Sequence, residues 1–255
     1  VITNEKENAE TVNKASKLSE LGQKFASSVD FKLQPLVRYD MNIVSGMKNT
    51  IKEKSIKHFY IGLHEKTSLI DHFFGNLTKD LLAKSDCTLY IYKSKHPLST
   101  IRKFVVVIPA NAELESGFSE WYSRVMQMAR NTGNMFEIFA PLQTNDYLRK
   151  LKPDANVMFR NFEDFDDFLI ISREIDEDTM LLVNLTRRDG VSYTPAMERI
   201  PEYLQKYFRE NSFMLIYANR SGNSENEQNL YQDASLQENI INLKEKAETI
   251  FRRKD

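Results

Sequence analysis

Two glycines thirteen positions apart, Gly62 and Gly75, mark the stretch whose residue types can bind a ligand. Gly62 closes a short apolar run, His58–Gly62, which predicts a buried strand, and Gly75 precedes a leucine-rich segment that predicts a short helix. A glycine after a strand and another before a helix let backbone N–H groups approach a phosphate closely. The spacing therefore favours phosphate or nucleotide binding.

Other combinations that can do chemistry do not form a recognised catalytic motif. The histidines form no HExxH pair and have no cysteine partners at zinc-site spacing. Two Ser-Gly pairs, at residues 116–117 and 221–222, lack the surroundings of a nucleophile elbow. His64 and His72 lie in the glycine loop, where a ligand contact and a packing role both stay open. We therefore expect no enzymatic activity.

Two charged clusters have a functional and a structural interpretation. The acidic run 163–167 can hold a cation, but a solvated helix start is favoured because carboxylates stabilise a helix N-terminus. Arg187 and Arg188 can bind a phosphate bidentately. They can equally pair with nearby carboxylates, and we favour that structural role. The candidate carboxylates are Asp189, Glu198 and Glu202.

Composition narrows the class of protein. Lys plus Arg number 35 and Asp plus Glu number 36, so no basic field favours nucleic acid or an anionic membrane surface. The single cysteine, Cys87, allows no intramolecular disulfide and is expected to be a buried thiol. No apolar run approaches the roughly 18 residues of a membrane helix. We expect a soluble cytoplasmic unit and, since the chain starts at Val1, a piece of something longer.

Strands and helices alternate along the first half, where they position the glycine loop. The pattern predicts a strand end at Val1–Ile2, helices at 5–27 and 41–54, and strands at 31–37, 58–62 and 88–92. The apolar side of the first helix carries Val12, Ala15, Leu18, Leu21 and Phe25. His96-Pro97 marks a linker, because proline disfavours helix in the residue before it.

The same order of elements returns after the linker. The pattern predicts strands at 104–109, 135–140, 156–160, 179–185 and 212–218, and helices at 113–131, 146–152, 163–173 and 198–209. Gly133 is the expected C-cap of the long helix. Strands that alternate with helices predict an α/β fold with a parallel sheet and right-handed crossovers.

The two halves can be aligned as repeats. Thr88–Tyr92 aligns with Phe213–Tyr217, and the strand ending at Gly62 aligns with the strand ending at Asn184. The first copy lacks a counterpart of residues 104–131, its first strand and helix. We therefore predict a first domain at residues 1–97, truncated at its N-terminus, a second domain at 98–220, and a tail at 221–255.

The glycine loop resembles the nucleotide loop of universal stress protein domains, in which three glycines and a hydroxyl residue recur at fixed spacing. Here Gly62, Glu65, Gly75 and Asn76 stand on those positions, so Glu65 replaces a glycine and Asn76 replaces the hydroxyl residue. The resemblance implies tandem adenine nucleotide alpha hydrolase-like domains and an adenine nucleotide such as ATP or AMP as candidate ligand. The implied binding residues are Gly62, His64, Gly75, Asn76 and Thr78.

The resemblance places the ligand between the loops that follow strands one and four of a domain. The first copy retains the strand-four loop and lacks strand one. The second copy is complete but has lost the glycines, since Asn184, Arg187, Met197 and Glu198 stand in their places. Neither copy therefore carries the whole motif.

Two longer stretches narrow the resemblance. GLHEKTSLIDHFFGNLT and TRRDGVSYTPAMERIPEYLQKYFRENSFMLIY resemble the tandem stress-protein-like region of certain bacterial sodium/proton antiporters of the cation:proton antiporter family. The resemblance implies a regulatory region on the cytoplasmic side of the inner membrane, joined to a membrane transport domain of the same polypeptide, and a homodimer. The alternative is a free-standing tandem universal stress protein that binds ATP or AMP.

The tail forms a separate segment. Residues 221–229 are a polar linker, and an amphipathic helix is predicted from about Leu236 to Arg253. Its apolar residues recur at spacings of four and three, as in the contact seam of a coiled coil. Packing back on the body and pairing with a second copy both stay open.

Overall fold

The computed structural model of the chain describes residues 2–3, 9–28, 30–40, 42–63, 78–153 and 156–220. The elements in chain order are β1 (Ile2–Thr3), α1 (Ala9–Ser28), β2 (Arg38–Tyr39), α2 (Ile43–Glu53), β3 (His58–Gly62), α3 (Thr78–Lys84), β4 (Thr88–Lys93), β5 (Lys103–Val107), α4 (Phe118–Thr132), β6 (Met135–Ala140), α5 (Leu142–Lys150), β7 (Val157–Asn161), β8 (Thr179–Leu185), α6 (Ile200–Tyr207) and β9 (Ser212–Tyr217). Short 3-10 helices lie at Leu98–Thr100, Ala112–Leu114, Phe165–Glu174 and Pro195–Arg199. The predicted α/β class is confirmed.

Seven strands form one mostly parallel sheet in the order β3-β4-β9-β8-β5-β6-β7. Among the strands that the structure describes, only β4 and β9 pair antiparallel. The central strands β5 and β8 are almost entirely buried, because both faces of a parallel sheet are covered and its middle strands read as continuous apolar runs. β3 was predicted to be buried, and this was wrong: it lies at the sheet edge, and the Tyr60 side chain is 56% exposed.

Helix α4 supplies most of the apolar cover for one face of this sheet. It ends as predicted at Gly133, whose φ of 65° is left-handed and whose N–H donates to Ala129 O at 3.0 Å. The aromatic rings of Phe118 and Trp121 meet edge to face, 5.2 Å apart. Its buried residues are Phe118, Trp121, Tyr122, Val125, Met126 and Ala129.

Three helical segments differ from their predicted bounds or type. Helix α4 starts at Phe118 rather than at residue 113, because a 3-10 turn and Gly117 precede it. Helix α5 spans Leu142–Lys150 rather than 146–152, and Pro141 lies at its N-cap with an extended backbone. Residues Phe165–Glu174 form 3-10 rather than α-helix, and Asp164 caps them by accepting from the Asp166 N–H.

The antiparallel contact of β4 with β9 joins the two predicted repeats within one sheet. Gly62 pairs with Tyr92, and Asn184 pairs with Ile216. The alignment of Gly62 with Asn184 therefore requires Tyr92 to align with Ile216. The predicted alignments of Gly62 with Asn184 and of Tyr92 with Tyr217 therefore differ by one residue in strand register, and a shift of one residue exchanges the two faces of a strand.

The described residues divide into two compact units, one within 1–57 and 78–85 and the other within 58–63 and 86–220. The first unit contains α1, α2, α3 and the parallel pair β1–β2. Asn42 caps α2 by accepting from the Ser45 N–H, and Arg38 donates to Glu53 at 2.6 Å. The domain boundary proposed at residue 97 stays a prediction.

The apolar residues of α1 are largely exposed in the first unit. Ala15 is buried, but Leu18 and Leu21 are each 51% exposed and Phe25 is 68% exposed. The strand predicted at 31–37 is irregular chain, and this prediction was wrong. The described strand beside this segment, β1, is only two residues long. Strand pairing with β1 therefore involves only Arg38 and Tyr39 among the described residues.

The predicted C-terminal helix lies outside the described residues, as does most of the glycine loop. Within the described ranges, no helix combines the length and the apolar character needed to cross a bilayer.

Candidate functional site

A crevice lies beyond the carboxyl ends of the strands β5, β8 and β9. From β5 the chain adds β6 and β7 on one side and β8 and β9 on the other, so the strand order reverses between β5 and β8. Ligands of doubly wound sheets bind at such a reversal, outside the carboxyl ends of the strands. The crevice has a volume of about 190 Å³. It is lined by Glu115, Ser116, Thr186, Arg187, Asp189, Gly190, Ala218, Asn219 and Arg220.

The Glu115 side chain closes the crevice from the loop after β5. Glu115 Oε1 accepts from the Ser192 N–H at 2.9 Å and from the Ser192 hydroxyl at 2.8 Å. The Ser192 hydroxyl also lies 2.5 Å from Thr186 Oγ1. An internal carboxylate thus binds a backbone N–H and a hydroxyl, the same kinds of group that would contact a bound phosphate.

Two glycines allow the loops around the crevice to approach each other closely. A Cβ at Gly190 would lie 2.2 Å from Thr186 Cγ2 and 2.7 Å from Glu115 Oε1. A Cβ at Gly117 would lie 2.7 Å from the backbone nitrogen of Asn219. Hydrogen atoms in place of side chains at these positions are therefore what lets the loops close.

Arg187 is buried, and its hydrogen bonds connect the two repeats. Its guanidinium donates to Ala218 O, at the end of β9, and to Cys87 O, before the start of β4, the latter at 3.0 Å. Burial lowers the pKa of Arg187, and the nearby positive charge of Arg220 lowers it further. Arg188 pairs with Glu198 at 2.6 Å. Arg188 thus makes one of the predicted carboxylate pairs, whereas Arg187 bonds to backbone carbonyls instead.

The remaining side chains of the crevice are also paired with one another. Arg220 donates to Asp189 at 3.3 Å, and Ser116 Oγ donates to the Arg220 carbonyl at 2.9 Å. Asn219 Nδ2 donates to Glu120, whose other oxygen lies 2.8 Å from His58 Nε2. These contacts tie the loop after β9 to α4.

The size and chemistry of the crevice argue against a nucleotide in the second repeat. Pockets for drug-sized ligands have volumes of roughly 300–1,000 Å³, whereas this crevice has about 190 Å³. Its carboxylates and guanidiniums bind each other or the backbone. The crevice is therefore smaller than an ordinary ligand pocket, and several of its polar side chains already have partners.

The residues predicted to bind nucleotide lie elsewhere. Gly62 is the last residue of β3, and β3 runs in the opposite direction to β8 and β9. Gly62 and the crevice therefore lie at opposite ends of the strands. A Cβ on Gly62 would meet no atom within 4 Å. His64, Gly75 and Asn76 lie outside the described residues, and Thr78 begins α3 in the other compact unit. This nucleotide site stays a prediction.

Other residues singled out in the sequence have structural surroundings. Cys87 is a buried thiol, as expected, and Trp121 and Tyr122 lie in the core. The acidic run starts a 3-10 helix, and its Asp166 pairs with Arg199. In the part of the chain that the structure describes, no three His, Cys, Asp or Glu residues form a group that could hold a metal ion.

Sequence reasoning missed the residues that fill the crevice, namely Glu115, Thr186, Ser192 and Asn219. The available signal was the resemblance, which implies a ligand between the loops after strands one and four of a domain, here β5 and β8. The residue types carried no signal of their own. Glu115 and Ser192 are 77 positions apart, and only the folded loops bring them together.

No family model matches the chain, and no curated protein matches it. Solved structures do. A universal stress protein from Archaeoglobus fulgidus DSM 4304 superposes with a TM-score of 0.53 at 13% identity, covering 83% of this chain and 78% of that one. A functionally unknown protein from Pseudomonas aeruginosa PAO1 superposes with a TM-score of 0.57 at 10% identity, covering 92% and 85%.

A third structure, described as a universal stress protein from Pseudomonas aeruginosa UCBPP-PA14, has a TM-score of 0.55 at 11% identity over 92% of this chain and 85% of that one. At such low identity the likeness shows the fold alone. The chain has a universal stress protein-like fold.

Proposed function

We propose that this chain is a regulatory, non-enzymatic module on the cytoplasmic side of the inner membrane, joined to the membrane domain of a cation:proton antiporter. The observation that carries the regulatory part is the closed crevice, in which Glu115 binds Ser192 at the position where this fold takes its ligands. The antiporter part rests on the sequence resemblance of the two stretches at residues 62–78 and 186–217.

The module would act by changing the balance between two states of the attached transporter. A ligand or a second copy can shift that balance only if it binds the two states with different affinity. Two inputs fit the chain: an adenine nucleotide at the first repeat, through Gly62, His64, Gly75, Asn76 and Thr78, and self-association into a homodimer. The second repeat then serves as a scaffold, because several polar side chains of its crevice already bind one another or the backbone.

Calorimetry on the 255-residue chain tests the nucleotide input. Titration with ATP or AMP should give saturable binding at one site per chain, which Gly75→Val abolishes. Glu115→Ala is the matched control in the second repeat and should leave the stoichiometry at one. No heat with ATP, AMP or a cyclic dinucleotide would exclude the nucleotide input and leave self-association. Two sites per chain would contradict a purely structural second repeat.

The fold is equally consistent with a free-standing tandem universal stress protein that binds ATP or AMP. The two functions differ in what the gene encodes ahead of Val1. The DNA upstream of that codon should continue the reading frame into membrane-spanning helices if the module belongs to an antiporter. A start codon directly upstream of Val1 would favour the free-standing protein instead.

A further inference from the structure

His58, at the start of β3, has polar side chains close to both nitrogens of its imidazole ring. Nε2 lies 2.8 Å from Glu120 Oε1, and the Arg124 Nε–H points at the same nitrogen from 3.0 Å. Nδ1 lies 3.5 Å from the Tyr90 hydroxyl. His58 and Tyr90 belong to the first repeat and Glu120 and Arg124 to the second, and all four residues lie in the same compact unit. The imidazole therefore lies where the two repeats meet.

The two contacts at Nε2 require opposite protonation states of that nitrogen. The Glu120 carboxylate accepts hydrogen bonds, so it bonds to Nε2 only when this atom carries a proton. The Arg124 guanidinium donates, so it bonds to Nε2 only when the atom has a free lone pair. One ring nitrogen therefore satisfies one of these two partners at a time.

The charge of the ring decides which partner is bound. In the imidazolium both nitrogens carry protons, so Nε2–H donates to Glu120 and Nδ1–H faces the oxygen of Tyr90. In the neutral ring with its proton on Nδ1, Nε2 accepts from Arg124, whose charge is permanent. An unperturbed imidazole changes its charge between about pH 5 and 8. A change of pH in this range thus exchanges one partner for the other.

The described groups that face His58 come from each element packed around it. On α4, Glu120 favours the imidazolium and Arg124 opposes it. On β4, burial raises the pKa of Tyr90, and the neighbouring Tyr60 of β3 raises it further, so the Tyr90 hydroxyl stays neutral. The His58 and Glu120 side chains are only 12% and 21% exposed, which strengthens the interaction between their charges.

The Glu120 carboxylate continues this set of contacts to the crevice. Its other oxygen accepts from Asn219 Nδ2 at 3.2 Å, and Asn219 lines the crevice. A Cβ at Gly117 would lie 2.7 Å from the backbone nitrogen of Asn219, so the loop after β9 packs closely on the start of α4. A movement of the Glu120 carboxylate therefore changes the surroundings of Asn219.

We propose that His58 is a pH-dependent switch between the repeats, which binds Glu120 when protonated and Arg124 when neutral, and that this exchange alters the hydrogen bonding of Asn219 beside the crevice. Such a switch needs neither a nucleotide nor an attached transporter. It gives the second repeat a response to protons at a place where its polar side chains already bind one another.

Nuclear magnetic resonance of the 255-residue chain with isotope-labelled histidine tests the exchange of partners. The signals of His58 are those that are missing in His58→Gln. As the pH rises from about 5 to 8, the shift of Nε2 should change from that of a protonated ring nitrogen to that of an unprotonated one. Nδ1 should keep its proton throughout, because Arg124 occupies the lone pair of Nε2 in the neutral ring.

Glu120→Gln and Arg124→Met should move the midpoint of this titration in opposite directions. Glu120→Gln removes the negative charge beside the imidazolium and should lower the midpoint. Arg124→Met removes a positive charge and the donor to the neutral ring, and it should raise the midpoint. We expect about one pH unit in each case, typical of a charge within hydrogen-bond distance. A histidine that only packs would not respond with opposite signs.

The side-chain amide signals of Asn219 show whether the exchange reaches the crevice. In the parent chain they should shift with the same midpoint as His58. His58→Gln should remove this pH dependence, because a neutral amide N–H can donate to Glu120 at every pH. His96→Gln is the matched control and should keep it, since His96 lies after β4, where its N–H donates to Ser212 Oγ. Melting curves followed by circular dichroism establish that the variants fold.

Three results would overturn the proposal. The first is a neutral His58 that keeps its proton on Nε2, because Glu120 would then stay bound at every pH. The second is a midpoint that Glu120→Gln and Arg124→Met leave unchanged or move in the same direction. The third is a set of Asn219 signals that stay constant while His58 titrates, or that respond equally in the parent and in His58→Gln.

Discussion

Gly190 has no side chain, and this allows the loops beside the crevice to approach each other closely. Its φ is not in the left-handed region, so the requirement for glycine is one of space. Gly190→Ala would place a Cβ 2.2 Å from Thr186 Cγ2 and 2.7 Å from Glu115 Oε1. We expect a loss of about 1–3 kcal/mol in the free energy of unfolding, typical of overpacking, measured by urea denaturation.

The double variant Gly190→Ala with Thr186→Ser separates this clash from other effects. Serine removes the Cγ2 methyl and keeps the hydroxyl that contacts Ser192. The double variant should recover at least half of the stability lost in Gly190→Ala. Additive losses in the two single variants would show that the clash with Thr186 is not the cause.

Residue roles were predictable where burial or local pairing decides them. Cys87 and Trp121 are buried because apolar patterns place them on covered faces. The structural role of Arg187 and Arg188 was predicted, but the partners of Arg187 were not. They are backbone carbonyls from both repeats. Every residue has a backbone carbonyl, so the sequence does not indicate which ones accept a hydrogen bond.

At the scale of elements, the end of α4 depends on a left-handed residue. Gly133 has a φ of 65°, and a Cβ there would meet no atom within 4 Å. Gly133→Ala should therefore cost about 1 kcal/mol of unfolding free energy from backbone strain alone. Gly62→Ala is the control, since Gly62 has equal space and no positive φ, and it should stay within about 0.5 kcal/mol of the parent. Equal losses in both variants would contradict the strain argument.

The sequence predicted the central strands well and the peripheral elements poorly, and the reason is tertiary context. β5 and β8 are continuous apolar runs with covered faces, so their burial follows from composition. β3 has the same character but lies at an edge, which depends on which strands are present beside it. Residues 31–37 alternate like a strand, yet their described neighbour offers only two residues for pairing.

At the scale of the molecule, the two repeats share one sheet through the antiparallel pair β4–β9. The repeats were visible in the sequence, but their junction was not, because a repeat alignment does not show which edges meet. The closed crevice was equally hidden, since it needs loops from β5, β8 and β9 in one place. What the sequence did carry was the alternation of elements, which was sufficient for the fold.

Arg187 holds this junction, because its guanidinium bonds carbonyls that belong to both repeats, Cys87 O and Ala218 O. Arg187→Met removes the donor, fills a similar volume, and leaves two carbonyls without it. We expect a loss of about 2–3 kcal/mol in unfolding free energy, in the range for hydrogen bonds to charged groups. Arg187→Lys should lose at least half as much, because an ammonium lacks the planar fork that reaches two acceptors.

The exposed neighbour Arg188 provides the matched control for this junction. Arg188→Met loses a surface ion pair with Glu198 and should change stability by less than about 1 kcal/mol. Denaturation followed by far-UV circular dichroism and by tryptophan fluorescence measures both variants, since Trp121 lies in the shared core. A parent-like Arg187→Met would show that strand pairing alone joins the repeats. The expected destabilisation would instead mean that the second repeat keeps its arginine for the junction and not for a phosphate.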